Sequence, residues 1–372
     1  MQHVPKSIAR LSLVALAACV SLLAACGGGS EDPATTHHLY TETNVTGNAI
    51  AHLVRADDGS VSLKNAFATG GAGTNTGADP LVSQNSVIVS DDHKTLFAVN
   101  AASNSVSAFA IDVASGDLTL LAHNATTGTF PVSLAQRSGK LYVLFQGSHT
   151  VQAFSAGSGS LGAAIGSYDI PGAGPKPTQI TISPDGKFLV VSAGTASNTL
   201  VAYPIAADGT LGAAVASSAG VVSPFAGAFL SNGIFLSSVA AGHALQSLTF
   251  SAGAFTTNGT PVVGDPAGAP CWLAITPDGR FAYTGDGGSG TIVSYTVGSS
   301  GSLTLLNAKA ANESIAVAGD TWISADGKFL YTAYLAAGQV IAYAIGTDGA
   351  LTKIGSAVTV TPGNTMQGLA GL

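Results

Sequence analysis

The chain has 372 residues, of which 9% are charged, and it carries 47 glycines but only two methionines. Helical domains of this length are rich in Glu, Lys, Leu and Met, so a composition dominated by Gly, Ala, Ser, Thr and Val points instead to an all-β protein. The net charge of −7 argues against nucleic acid or an anionic membrane face as the main partner, because both demand basic patches.

Residues 1–25 have the order of an export signal. Lys6 and Arg10 form a basic start, "LSLVALAACVSLLAA" is a short apolar run, and small residues follow. The run is too short for a stable membrane-spanning helix. Leu23-Ala24-Ala25-Cys26 resembles a bacterial lipobox, in which the cysteine is lipidated and becomes the first residue. Plain secretory cleavage, or use of Cys19 in the earlier "LAAC", are the alternatives. By the same resemblance Gly27 after the cysteine directs the protein to the outer membrane. "GGGSEDPATT" (27–36) has the composition of a flexible tether, floating the domain roughly 17 Å from the lipid. The expected organisation is a signal over 1–25, a lipidated Cys26 and tether over 26–36, and one exported domain over 37–372. Membrane contact is through lipid alone. Cys271 is then the one cysteine left in the domain, so no intramolecular disulfide is expected.

Downstream, one string keeps returning. "SPDGKFLVVSAG" (183–194) recurs as "TPDGRFAYTGDG" (276–287), "SADGKFLYTAYL" (324–335) and, worn down, "SDDHKTLFAVNA" (90–101). The Asp-Gly core is turn chemistry, and the flanking apolar runs read as two buried strands of a hairpin. A second turn gives the better ruler: Asp58-Gly59, Ser115-Gly116, Ser158-Gly159, Asp208-Gly209, Ala252-Gly253, Ser300-Gly301 and Asp348-Gly349. Seven copies spaced 43 to 57 residues apart, each with four strands, mark a seven-bladed β-propeller with four-stranded antiparallel blades. The first blade opens on "HHLYTET" and lacks its innermost strand. The chain ends on "NTMQGLAGL" (364–372), which resembles innermost strands elsewhere. The C-terminal segment is therefore expected to close the ring beside Leu39–Thr43, covering a bare edge.

"QNSVIVSDDHKTLFAVNAASNSVSAFAID" (84–112) and "PCWLAITPDGRFAYTGDGGSGTIVSYTV" (270–297) resemble the lactonase-type seven-bladed propellers, a group that includes 6-phosphogluconolactonase-like and carboxymuconate cyclase-like proteins. The resemblance implies a site at the ring's centre, on the face whose loops lead into each innermost strand. It also implies "P-H-x-H" at the start of one middle blade and "R-H" at a later one. Here Lys176 and Thr178 stand where the histidines would, and Cys271 and Trp272 where the Arg-His pair would. A lactone hydrolase needs a general base and a donor for the developing oxyanion. The expectation is therefore a module that binds a small molecule or an envelope partner, with an active lactonase or cyclase on a divergent site as the alternative.

Counting back from the turns, the innermost strands start at Asn85, Val132, Thr178, Phe225, Cys271, Gly319 and Gln367. The next ring holds Ser86, Ser133, Gln179, Ala226, Trp272, Asp320 and Gly368. From these, Asn85, Thr178, Gln179, Cys271, Trp272 and Asp320 are the candidate ligand contacts, joined by Asp286 in "TGDGGSG". Asp320 and Cys271 are the candidate catalytic groups. His149 and His243 share a repeat position with Asn104, Asn198, Gly290 and Gly338, which suits a turn residue with positive φ, with ligand contact as the second reading. Cys271 reads equally as a buried structural thiol. The long loop over about 65–82 is a candidate lid. No metal, cofactor or nucleic acid is expected, and the protein is expected to be a monomer.

Overall fold

The computed structural model describes residues 37–157, 161–218, 220–360 and 364–372. The signal, Cys26, the tether and the Ser158-Gly159-Ser160 turn lie outside the described residues. Seven antiparallel sheets follow one another along the chain, and blades two to seven join their strands in sequence order from inner to outer. In blades two to seven the inner strands are Val87–Val89, Pro131–Arg137, Gln179–Ile182, Pro224–Phe229, Pro270–Ile275 and Ala318–Ile323. Blade one takes its inner strand from the other end of the chain. Gln367–Gly371 pairs with His37–Glu42 in the register Leu39↔Gly371, Tyr40↔Ala370, Glu42↔Gln367. The ring is thus closed where the sequence places the closure. Blade five has an extra short strand, Val262–Val263, on its third strand.

Each blade is sandwiched between two others, so its middle strands bury both faces. Lys140–Phe145 and Phe281–Asp286 are buried almost end to end, as continuous apolar runs require. Outer strands such as Leu118–Ala125 alternate covered and exposed residues.

The recurring Ser/Thr-x-Asp-Gly string is explained by its hydrogen bonds. In blade four, Ser183 Oγ donates to Asp185 Oδ1 at 2.6 Å, and the same oxygen accepts from the Lys187 amide at 3.1 Å. Ser183 Oγ in turn accepts from the Phe188 amide at 3.0 Å. The same set recurs around Asp92, Asp278 and Asp326. Gly186 sits at φ 74°, and in the worn copy His93 takes that conformation at φ 59°.

The second turn stitches blades together. The hydroxyls of Tyr40, Tyr142, Tyr283 and Tyr331 donate to the carbonyls of Gly116, Gly209, Gly349 and Gly59, each one blade further on, at 2.8–3.1 Å. The last of these joins blade seven to blade one.

Positive φ is found at Asn104, His149, His243, Gly290 and Gly338, as the repeat predicts. Asn198 departs from it. The turn there runs longer, and Gly194 and Ala196 carry the left-handed conformation instead, at φ 93° and 60°. Gly194 lies so close to the Lys176 carbonyl that a Cβ would meet it at 1.6 Å, so no side chain fits.

Candidate functional site at the plugged channel

On the loop face, the chain between blades one and two does not stay on the surface. Leu81–Gln84 folds across the mouth of the channel as a strap, with Leu81 and Ser83 fully buried. Trp272 Nε1 and Gln367 Nε2 both donate to the Ser83 carbonyl, at 2.9 and 3.1 Å. Gln84 Nε2 donates to the Leu273 carbonyl at 2.9 Å, and Gln84 Oε1 accepts from the Leu273 amide at 3.0 Å. Gln146 Nε2 donates to the Leu81 carbonyl, Ser83 Oγ to the Val132 carbonyl, and the Gln84 amide to the Thr178 carbonyl. The strap therefore ties blades three and four to blade six and the closing strand. Its backbone is strained. Asp79, Val82 and Asn85 sit at φ 52°, 49° and 69°, and for a β-branched valine this is a true outlier. Such residues cost on the order of 1–3 kcal/mol each and persist when surrounding bonds over-determine them. The loop expected as a lid thus ends in a plug.

The inner-strand residues singled out from the sequence converge around this strap, and most have blade-to-blade partners. Ser133 Oγ accepts from the Ile180 amide at 3.1 Å, one blade on. Gln179 Oε1 does the same for the Gly227 amide. Asp320 Oδ2 accepts from the Gly368 amide at 3.0 Å and from Gln367 Nε2 at 3.2 Å. Ala226 has no acceptor to offer at this position, and Gln84 of the strap meets the Leu273 amide in its place. Thr178 is buried and donates to the Phe225 carbonyl. Trp272 is buried, with its ring 5.2 Å from that of Phe225. Asn85 is half-buried and lines an axial cavity on the far side of the strap.

Cys271 and Asp286 are neighbours in blade six, where Pro270 pairs with Asp286. Asp286 is fully buried; Thr291 Oγ1 donates to its Oδ2 at 3.1 Å and also to Asp265 Oδ2 at 3.2 Å. His149 and His243 are not brought together. They are exposed turn residues on blades three and five, and His243 Nδ1 pairs with the Gly268 carbonyl.

Two further acids, Glu42 and Asp79, join Asp320 under the strap, and neither had a place in the sequence reading. Glu42 is fully buried and its register partner is Gln367. Burial pushes its carboxyl up to about 8, against the hydrogen bond from Asn48, with Asp320 pushing the same way. Burial raises Asp320 to about 7, opposed by the Gly368 and Asn85 amides. Asp79 is raised well above the ordinary range by burial and then by Asp320, while Gln367 and Lys176 act against the rise. In blade six burial raises Asp286 to about 7. Glu42 Oε1, Asp79 Oδ1, Gln367 Oε1 and Asp286 Oδ1 are buried without a hydrogen-bond partner. Carboxyls that hold protons near neutral pH can both give and take them. Burial drives the Cys271 thiol upward, and Asp79 and Asp286 add to that, so it is held as a thiol rather than a nucleophilic thiolate. Among the described residues no three His, Cys, Asp or Glu are arranged to hold a metal ion.

A signal for Glu42 was present in the sequence: it is one of three glutamates, set in the strand "HHLYTE". Gln84 and Asp79 had none, because their partners lie far along the chain.

A family model described as "Lactonase, 7-bladed beta-propeller" matches residues 34–174 and 233–367. The unmatched stretch, 175–232, spans blade four and the start of blade five. No curated protein sequence matches the chain. Among solved structures, a proposed 6-phosphogluconolactonase of Bacteroides fragilis is 19% identical with a TM-score of 0.73, covering 91% of this chain and 98% of its own. The periplasmic gluconolactonase of Pseudomonas aeruginosa is 18% identical with a TM-score of 0.70, covering 89% of this chain and 98% of its own. At these identities the likeness is one of fold.

Proposed function

Since the chain belongs to the seven-bladed β-propeller lactonase family, we propose that it binds a small, neutral, lactone- or sugar-like molecule on the loop face, without the hydrolytic chemistry of the family. The observation that carries this reading is what occupies the four positions expected to hold His and Arg. Thr178 and Trp272 are buried in contacts between blades and with the strap, and the Cys271 thiol is held protonated. Lys176 alone is exposed. The test is calorimetry and thermal shift with glucono-δ-lactone and its open acid, beside an assay of lactone hydrolysis. Binding without turnover is expected. Turnover clearly above the spontaneous rate overturns the binding-only reading.

One observation favours a second reading, an active hydrolase with a divergent site. Asp79 carries a buried, unpartnered oxygen, and Lys176 acts on its carboxyl. That pairs a proton acceptor with a cation for a developing oxyanion. In that case Asp79→Asn and Lys176→Met each abolish turnover while leaving thermal stability intact.

The proposal extends to location. The basic start, the short apolar run and Leu23-Ala24-Ala25-Cys26 support export and lipid anchoring at Cys26, with the domain acting as a monomer at the envelope. Cys26→Ala is expected to move the protein from the membrane to the soluble fraction. Retention in the membrane excludes a lipid anchor at that cysteine.

A further inference from the structure

The first-turn repeat neutralises its own charge on three blades. Lys187 pairs with Asp185 at 3.8 Å, Arg280 with Asp278 at 3.8 Å and Lys328 with Asp326 at 3.6 Å. Blade three breaks this rule. Its turn reads Arg137-Ser138-Gly139-Lys140, with serine where blades two, four, six and seven carry aspartate. Two cations stand there with no carboxylate of their own, and neither is in an ion pair among the described residues. Arg137 uses one N–H on the Ser183 carbonyl at 3.3 Å. Asp91, the acid on the same rim, already accepts from the Ser138 amide at 3.1 Å.

These two cations border two cavities on the face opposite the strap. One, of about 430 Å³, lies on the channel axis. Its floor is Asn85, its walls include Ile88, Val89, Ala135 and Ile182, and Arg137 stands at its rim. The other, of about 340 Å³, lies between blades three and four and is lined by Arg137, Lys140, Tyr142 and Asp185. Asp185 accepts from Ser183 Oγ and the Lys187 amide, so it is already engaged within its own turn. Arg137 belongs to both cavities. A concave pocket of this size, walled partly by aliphatic side chains and partly by polar groups such as Gln136, Thr181 and Asp91, with a guanidinium at its rim, can seat a small molecule that is itself part apolar and part charged.

We propose that this face holds a second ligand site, for a small amphiphilic carboxylate. The apolar body lies in the axial cavity against Ile88 and Ile182. The carboxylate meets the guanidinium of Arg137, whose fork of donors suits two oxygens, and Lys140 adds charge from the adjoining cavity. The site is on the opposite face from the one considered above and stands or falls independently of it, since different residues are changed to test each.

The test uses the purified full chain in detergent. The fluorescent monoanion 1-anilinonaphthalene-8-sulfonate is titrated in, then displaced with octanoate or, separately, with neutral octanamide. Saturable binding is expected, with displacement by octanoate and not by octanamide. Arg137→Gln weakens both anions about ten-fold or more, the size of a lost charge-assisted bond. Lys140→Gln weakens them less, and Arg280→Gln, on the self-neutralised turn of blade six, leaves them unchanged. The proposal is overturned by wild-type affinity in Arg137→Gln, by an equal loss in Arg280→Gln, by octanamide competing as well as octanoate, or by no saturable binding. Melting curves of each variant keep a folding defect from passing as lost affinity.

Discussion

The two faces of this propeller are held together by different means. On the turn face the contacts between blades are periodic: a tyrosine of one blade donates to a turn glycine of the next, four times over. On the loop face the repeat is incomplete: Ser133, Gln179 and Asp320 each reach an amide of the next blade, and one strap, used once, supplies what the repeat leaves out. Where Ser133 and Gln179 cap the next blade's amide, Ala226 cannot, and Gln84 reaches in from 189 residues away. A repeating sequence builds a ring from nearest-neighbour terms, but it also builds a hole, and the hole is filled by a segment that does not repeat. Changes on the two faces should therefore behave differently.

The largest effect should come from removing what both faces share. Deleting residues 364–372 removes the inner strand of blade one and bares the edge of His37–Glu42. The expected outcome is aggregation or loss of cooperative unfolding, read by size-exclusion chromatography and thermal melts. A monomer with an unchanged melting temperature would mean that the ring does not depend on its closure. Next comes Trp272→Ala, which empties a fully buried site beneath the strap and removes one of the two donors to the Ser83 carbonyl. A loss of about 3–5 kcal/mol is expected from chemical denaturation. Trp272→Phe, which keeps much of the volume, should cost clearly less.

The acids under the strap make the loop face sensitive to alkali. A carboxyl raised to about 8, as in Glu42, or about 7, as in Asp320, holds its proton in the folded chain over a range where the unfolded chain has released it. Their contribution is full below the ordinary carboxyl range and is lost as pH rises through those values, at up to about 1.4 kcal/mol per pH unit for each group. On the turn face the sign is opposite. His38 and His52, buried and 3.0 Å apart between blades one and two, are held neutral, His52 down to about 4. Their contribution is full above the usual histidine range and is lost as pH falls toward about 4. Melting curves from pH 4 to 9 should therefore fall at both ends. Glu42→Gln should flatten the alkaline limb alone, and parallel limbs in variant and wild type would remove the acids as its cause.

The same contrast explains what the sequence made legible. Turn chemistry is local: Ser183, Asp185 and Gly186 lie within four residues, so the hairpins, the blade count and the closing strand could all be placed from spacing. The ring positions around the axis could be placed too, because alternation and distance from the turn fix them. What spacing cannot carry is the partner of each side chain. Gln179 and Asp320 point to the axis by count, yet their oxygens are taken by Gly227 and Gly368 of the adjoining blades. The strap was visible as a long loop between blades, but nothing local says that Ser83 will meet Trp272. Glu42 was the exception that could have been read, as an acid inside an apolar strand.

Smaller effects separate the repeating contacts from the singular one. Gln84→Ala strips the Leu273 amide and carbonyl of their partner inside the ring, and should cost about 1–3 kcal/mol. Because Ser133 caps the equivalent amide in blade four, Ala226→Ser in the Gln84→Ala background should recover part of that loss in denaturant midpoint. A double variant no more stable than Gln84→Ala would mean that the strap is not standing in for a missing repeat residue.

The smallest effects belong to the tyrosines. Tyr142→Phe and Tyr283→Phe each remove one hydroxyl bonded to a turn carbonyl and leave the ring in place, for about 1 kcal/mol apiece. They join blades three and four and blades six and seven, share no partner, and should add when combined. Tyr331→Phe differs in one respect: its partner, Gly59, lies across the closure, in the blade that joins the two ends of the chain. If closure is the weakest link of the ring, this variant should lower the unfolding midpoint more than the other two while removing the same chemical group. Three equal shifts would show instead that, once zipped, the seam is as strong as the other junctions held by a tyrosine.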